Sequence, residues 1–157
     1  MPSIAKRRSF AALLAVSGAL LAGCGDDGAL TKVEYEEKVR STYAEVQEAF
    51  ARTNVPLLEE LAVRLEDAQD ALRAAADELE GVEPPEEVET EHTEVVAGLR
   101  AYAEDLNRLR NAAEQGDERT VEEFNARIAT NRSVEQIAEA AERMKFKGYD
   151  LGPIAEE

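Results

Sequence analysis

The sequence predicts an all-α protein, an antiparallel up-down-up-down four-helix bundle preceded by a signal-peptide helix and a short tether. Only 5% of the 157 residues are aromatic and none is Trp, whereas β-sandwiches are rich in aromatic and β-branched residues. Five Pro and nine Gly leave little room for long loops. Apolar residues recur at spacings of three and four in four successive stretches, which is the period of helices packed in a bundle.

The first helix is predicted from its capping residues. Thr31 and Glu34 have the spacing of a capping box, in which each side chain bonds the other residue's backbone N–H. The apolar face that follows comprises Tyr35, Val39, Tyr43, Val46 and Phe50. We expect this face to be buried.

The second helix is predicted to contain Pro56 in its first turn, where a missing N–H is tolerated. Gly81 and the pair Pro84 and Pro85 then break the chain, because proline cannot donate a backbone hydrogen bond and restricts the residue before it. The apolar face between these breaks comprises Leu58, Leu61, Leu65, Ala68, Leu72, Ala75 and Leu79.

The third helix is predicted to begin near Pro85 and to end at Gly116. Thr120 and Glu123 predict a second capping box at the start of the fourth helix, whose spacing is disturbed near Asn131. We expect a kink or short break there. The third face comprises Val88, His92, Val95, Leu99, Tyr102, Leu106, Leu109 and Ala113, and the fourth Val121, Phe124, Ile128, Val134, Ile137, Ala141 and Met144.

The charge of the chain excludes one class of partner. The formal net charge is -16, whereas nucleic-acid binding requires a basic face. Lys6, Arg7 and Arg8 lie before the predicted domain, so the chain that follows them is still more acidic. Such a protein is repelled by anionic lipid head groups. The sequence therefore predicts no nucleic-acid partner and no electrostatic attachment to membranes.

Residues 1–23 predict a secretory signal peptide. A basic segment is followed by an apolar run of 13 residues from Phe10 to Ala22, then by small residues. A spanning helix needs about 20 apolar residues, so this run is too short to cross a membrane. Arg7, Arg8, Ser9 and Phe10 resemble the core of twin-arginine export signals, and an ordinary basic segment is the alternative.

Leu21, Ala22, Gly23 and Cys24 resemble the bacterial lipobox at every position: an aliphatic residue, a small residue, Gly or Ala, then Cys. The resemblance implies a diacylglyceryl group on Cys24 and cleavage just before it, leaving residues 24–30 as a tether. It also implies a location on the extracytoplasmic side of the cell membrane. The alternative is a buried thiol in an ordinary signal helix.

The bundle is assigned to residues 31–147 and a loosely docked C-terminal tail to residues 148–157. The segment PPEEVETEH and this tail are similar to those of uncharacterised small helical lipoproteins of actinobacterial type, a resemblance that implies no function. No motif of a hydrolase, phosphate-binding loop, dinucleotide site or zinc site is present. The sequence therefore predicts no enzyme, no metal site and no cofactor other than the lipid on Cys24.

His92 is the only histidine in the chain and lies on the apolar face of the third helix. Folding neighbouring helices as hairpins places it opposite Ala141, one turn from Met144, and opposite Ala75, which in turn faces Glu34 and Tyr35. One hypothesis is a haem site with His92 and Met144 as axial ligands, like soluble four-helix b-type cytochromes. The other is a core histidine hydrogen-bonded to Tyr35, Glu34 or Glu91.

Two functions remain open from the sequence. The first is a non-catalytic envelope lipoprotein that binds a protein with a basic face through its acidic surfaces. The second is a carrier of haem or another small ligand in the bundle core, around His92, Met144 and Tyr35. A third function, metal binding, is not favoured. Glu89 and His92 supply a single ExxH pair, whereas a carboxylate metal centre needs two.

Overall fold

The computed structural model describes residues 28–155, and every regular element in that range is helical. The all-α prediction is confirmed. The predicted signal peptide, the lipobox Leu21 to Cys24 and most of the tether lie outside the described residues. The α-helices of the described range are α1 (Lys32–Ala51), α2 (Leu58–Glu80), α3 (Glu89–Glu114), α4 (Glu118–Asn125) and α5 (Arg132–Phe146).

The long helices pack in chain order, with α1 against α2, α2 against α3 and α3 against α5. Short connections make α1 antiparallel to α2 and α2 antiparallel to α3. The chain from α3 to α5 passes through α4, and α5 is antiparallel to α3 because Ser133 at its start bonds Asp105 whereas Lys147 just after its end bonds Glu91. Residues 28–31, the α2–α3 connection and the end of α5 therefore lie at one end of the molecule, the proximal end. Residues 52–57, residues 115–117 and α4 lie at the other, the distal end. None of the helices in the range 28–155 is long and apolar enough to span a membrane.

A glycine lets α5 approach α3 closely. A Cβ placed on Gly98 in the middle of α3 would lie 2.6 Å from Cγ1 of Ile137 on α5, and 3.4 Å from the carbonyl oxygen of Ser133. Both distances are shorter than, or at the limit of, ordinary van der Waals contact. The missing side chain of Gly98 therefore sets the distance between these two helices.

The capping box at Thr31 is confirmed: its hydroxyl accepts a hydrogen bond from Glu34 N, and Glu34 Oε2 accepts one from Thr31 N at 2.9 Å. The Thr31 hydroxyl also donates to Glu34 Oε2 at 2.7 Å, and this bond together with the one from Thr31 N holds the pKa of Glu34 below its usual value. The prediction for Pro56 is wrong. Residue Leu57 is the N-cap of α2, with extended backbone dihedrals, so Pro56 precedes the helix instead of occupying its first turn.

The third helix begins later than predicted. Pro85 precedes a 3-10 turn over Glu86–Val88, and α3 starts only at Glu89. An extended Pro85, with ψ of 138°, cannot itself be the first residue of an α-helix.

The predicted fourth helix is two helices, α4 and α5, separated by a 3-10 turn over Ile128–Thr130. The break expected near Asn131 is confirmed, because Asn131 is extended and its side chain caps α5 by accepting from Ser133 N at 2.8 Å. The predicted capping box at Thr120 is wrong. Asp117 is the N-cap of α4 and accepts from Thr120 N at 3.1 Å, which places Thr120 inside the first turn.

The C-terminal segment packs against α1, so the expectation of a loosely docked tail is wrong. Tyr149 and Leu151 are 3% and 2% exposed. Lys32 Nζ donates to the Gly148 carbonyl at 2.6 Å, and Asp150 N donates to Glu36 Oε1 at 2.9 Å. These two apolar side chains lie beyond the last periodic position of the fourth face, which is why the helical pattern missed them.

Candidate functional site

The proximal half of the core brings together the three residues that the sequence singles out, Tyr35, His92 and Met144. The Tyr35 hydroxyl lies 3.1 Å from His92 Nδ1 and 3.8 Å from Met144 Sδ. The three residues are 1%, 6% and 1% exposed. The hairpin geometry predicted this juxtaposition, because the spacing of core residues along antiparallel helices fixes which of them share a layer.

The protonation states follow from the surroundings. Burial lowers the pKa of His92, and the hydrogen bond to the Leu79 carbonyl opposes that shift. A ring that donates to a carbonyl through one nitrogen accepts at the other, so Tyr35 donates to Nδ1. Burial also raises the pKa of Tyr35. Tyr35 and His92 are therefore both neutral. Of the three hydrogen-bond partners predicted for His92, the structure shows Tyr35. Glu34 instead caps α1, and Glu91 pairs elsewhere.

This arrangement does not fit a haem held by His92 and Met144. The Tyr35 hydroxyl contacts both side chains, so a phenol occupies the position that an iron atom between them would need. The adjacent apolar cavity, which Val39, Leu99 and Leu151 help to line, has a volume of about 30 Å³. Ligand sites usually measure several hundred Å³. The geometry is that of a buried core histidine whose two ring nitrogens both have hydrogen-bond partners.

A second polar cluster joins α3 to the end of α5. The Glu91 side chain is 7% exposed and accepts from Lys147 Nζ at 2.7 and 2.8 Å, while Arg143 Nε lies 3.8 Å away. Hydrogen bonds from Lys147 hold the pKa of Glu91 below its usual value. Arg143 also pairs with Glu94. From the sequence, Glu91 was expected only as one of the alternative partners of His92, and its pairing with Lys147 was not predicted.

A buried amide joins α2 to α3. Gln69 is fully buried, and its Nε2 donates to the Ala103 carbonyl and to Asn107 Oδ1, each at 2.8 Å. Its Oε1 has no hydrogen-bond partner among the described residues. Sequence analysis missed Gln69 because it lies beside the apolar positions Ala68 and Leu72, not on their row.

The distal half has an open groove between α3 and the segment from α4 to Asn131. Its volume is about 360 Å³, about the lower limit of small-molecule sites. Phe124 and Ile128 line its apolar part, and Arg108 and Arg127 line its polar part. No sequence signal identified this groove, because it depends on the path of the chain after α4 ends.

Comparison with known protein families, with curated proteins and with solved structures finds no match to this chain. The roles of its residues therefore rest on their own geometry.

The described residues offer few groups for metal or covalent chemistry. Between residues 28 and 155 no three His, Cys, Asp or Glu side chains are grouped so that they could hold a metal ion. His92 of the predicted ExxH pair is already bonded to Tyr35. Cys24, the one cysteine of the chain, lies outside the described range.

Proposed function

We propose that this protein is a lipid-anchored lipoprotein on the extracytoplasmic face of the cell membrane, where its helical body is a non-catalytic interaction module. One observation carries the proposal. A basic segment, an apolar run and the sequence Leu21-Ala22-Gly23-Cys24 follow one another in the order that lipoprotein export requires. Either export route, general or twin-arginine, leads to the same anchored product.

The physical role of the lipid follows from the charge of the chain. A body with this excess of acidic residues is repelled by anionic lipids. Each buried CH₂ of an acyl chain contributes about 0.8 kcal/mol, and two chains give stable anchoring where one does not. The diacylglyceryl group on Cys24 therefore supplies the attachment that the protein surface cannot.

The tether determines which end of the body faces the membrane. Cys24 precedes Gly28 by four residues, which span at most about 14 Å at roughly 3.5 Å per residue. The chain joins the body at the proximal end, where Leu30 N donates to the Glu83 carbonyl at 2.9 Å. We infer that the proximal end lies against the bilayer and that the distal end points away from it.

We also propose that α1, α2, α3 and α5 act together as the up-down-up-down four-helix bundle, with α4 as an accessory helix. At about 1.5 Å per residue, the 26 residues of α3 separate the two ends by about 39 Å. This length supports a role as a spacer that presents the distal end to a partner. The acidic surface favours a partner with a basic face, mainly by steering its approach.

The anchor is tested by comparing Cys24→Ala with Gly23→Ala, which keeps the lipobox pattern. We expect the unaltered chain and Gly23→Ala to incorporate a labelled fatty acid and to partition into the detergent phase. Cys24→Ala should lose the label completely, and its leader should remain uncleaved. Equal labelling of Cys24→Ala and the unaltered chain would refute the proposal, as would absence of label from all three.

The partner is tested by crosslinking in intact cells. A captured protein should carry a basic surface, and its recovery should fall as ionic strength rises, because surface charge pairs are screened by salt. Recovery that is the same with Cys24→Ala as with the unaltered chain would contradict a partner that meets this protein at the membrane.

A further inference from the structure

The distal groove has the walls of a small binding site. Along one side runs α3, and along the other lie the last turn of α4 and the 3-10 turn that follows it. Phe124 is half-buried, and Ile128 is 37% exposed. These two side chains form an apolar wall of the groove, and part of that wall is exposed to solvent.

The carboxylates of the groove already have donors. Asp105 Oδ2 accepts from Asn131 Nδ2 at 3.1 Å and from Ser133 Oγ at 2.7 Å. Glu123 pairs with Arg119 at 2.9 Å. The third, Glu104, accepts from Asn107 Nδ2 at 2.9 Å and pairs with Arg73 at 3.5 Å.

The two arginines of the groove have no such partners. Neither Arg108 nor Arg127 forms an ion pair or side-chain hydrogen bond with any residue of the described range. Three carboxylates and two arginines line the groove, and the carboxylates are the groups that already have donors. Arg108 and Arg127 are therefore the charged groups of the groove that remain available to bind an anion.

We propose that this groove binds a small organic carboxylate. The carboxylate lies between the guanidinium groups of Arg108 and Arg127, which suit planar oxyanions because each presents a fork of N–H donors. The apolar part of the ligand packs against Phe124 and Ile128. This inference is independent of the lipid anchor, since the groove is formed by residues of the distal half alone.

The test is a calorimetric titration of the full chain in phosphatidylcholine nanodiscs, with empty nanodiscs as the blank. The probe is phenylacetate, and its neutral isostere phenylacetamide isolates the contribution of the charge. We expect one phenylacetate per chain and at least tenfold weaker binding of phenylacetamide. Inorganic phosphate, which lacks the apolar part, should also bind more weakly than phenylacetate.

The variants locate the site. Arg108→Gln with Arg127→Gln should weaken phenylacetate binding at least tenfold and leave phenylacetamide unchanged. Arg64→Gln, which removes a half-buried arginine of α2 that pairs with Glu60, is the matched control and should bind as the unaltered chain does. Circular dichroism should give the same helix content in all variants, because exposed substitutions rarely change stability by more than about 0.5 kcal/mol.

Three results would overturn the proposal. The first is no heat of binding for phenylacetate up to about 10 mM, a concentration well above the Kd of a functional small-molecule site. The second is equal affinity for the acid and the amide. The third is undiminished phenylacetate binding by the double variant.

Discussion

The two halves of the molecule are built differently. In the proximal half, hydrogen bonds and ion pairs join α1, α3, α5 and the C-terminal segment, as between Tyr35 and His92 and between Lys147 and Glu91. In the distal half, α4 has Val121 as its one buried residue within the described range. The part of the fold that hydrogen bonds and ion pairs join across several elements is therefore separate from the part that has an open groove.

The difference follows from where α5 begins. Ser133, at its start, bonds Asp105, so the distal part of α3 has no neighbouring helix of comparable length on that side. The chain covers this surface with an eight-residue helix and a 3-10 turn. Short elements bury little apolar surface and leave a groove. The distal groove is therefore open to solvent and available for recognition.

The largest expected effect is that of shortening a proximal core side chain. Met144→Ala should lower the free energy of unfolding by about 2–5 kcal/mol, because it removes a buried side chain and leaves a cavity. Phe124→Ala, in the distal groove, should cost less than half as much. Urea unfolding followed by circular dichroism measures both. Equal losses would remove the distinction between the halves.

A smaller loss of stability is expected on substituting two glycines, Gly98 between α3 and α5 and Gly116 at the distal end. Gly98→Ala should cost about 1–3 kcal/mol, because its Cβ would overlap Ile137. Gly116→Ala at the distal end should cost about 1 kcal/mol, since its φ of +69° disfavours a side chain but nothing lies within 4 Å.

Ile137→Ala distinguishes steric overlap, the cause expected at Gly98, from backbone strain, the cause expected at Gly116. In a double-mutant cycle with Gly98→Ala it should show a coupling of at least about 0.5 kcal/mol, because the two side chains compete for one space. With Gly116→Ala the effects should add. Additivity in both cycles would contradict the close approach of α5 to α3 as the cause.

The smallest effect is a pH dependence confined to the proximal half. The folded pKa of His92 is below its usual value of 6.5, so its contribution to stability is complete above pH 6.5 and is lost as pH falls through the folded pKa. The slope is at most about 1.4 kcal/mol per pH unit. The capping carboxylate Asp117 of the distal half has a lowered pKa, so its contribution is lost only below about pH 3.8.

Proton NMR can follow this titration, because the chain has a single histidine. The imidazole resonance should titrate below pH 6.5 in the unaltered chain.

In Tyr35→Phe the ring loses its hydroxyl partner, and the free energy of unfolding should fall by about 1–3 kcal/mol because a buried acceptor is left unsatisfied. Tyr43→Phe, which removes a hydroxyl that accepts from exposed Gln47, is the control and should change stability by less than about 0.5 kcal/mol. A histidine pKa above 6.5 would contradict the buried neutral ring.

The sequence predicted the proximal half better than the distal half, for a physical reason. Regular spacing along long helices determines which core residues meet, so Tyr35, His92 and Met144 could be placed together without coordinates. The N-cap of α4 was predicted wrongly at Thr120, because Asp117 and Thr120 are both good capping residues and only the backbone geometry chooses between them. The groove follows from that choice and from the turn after α4, which no periodic pattern describes.

The C-terminal segment that covers α1 has a consequence for how the protein is completed after synthesis. Gln69 meets Ala103 across 34 residues of sequence, whereas Lys32 meets Gly148 across 116. Local hairpins form quickly, and contacts of large sequence separation form slowly. The part of α1 around Lys32 to Glu36 stays exposed to water until the segment from residue 148 to residue 151 has joined it. A nascent chain that pauses before that point presents this surface to chaperones and proteases, so the proximal end is the last to be protected.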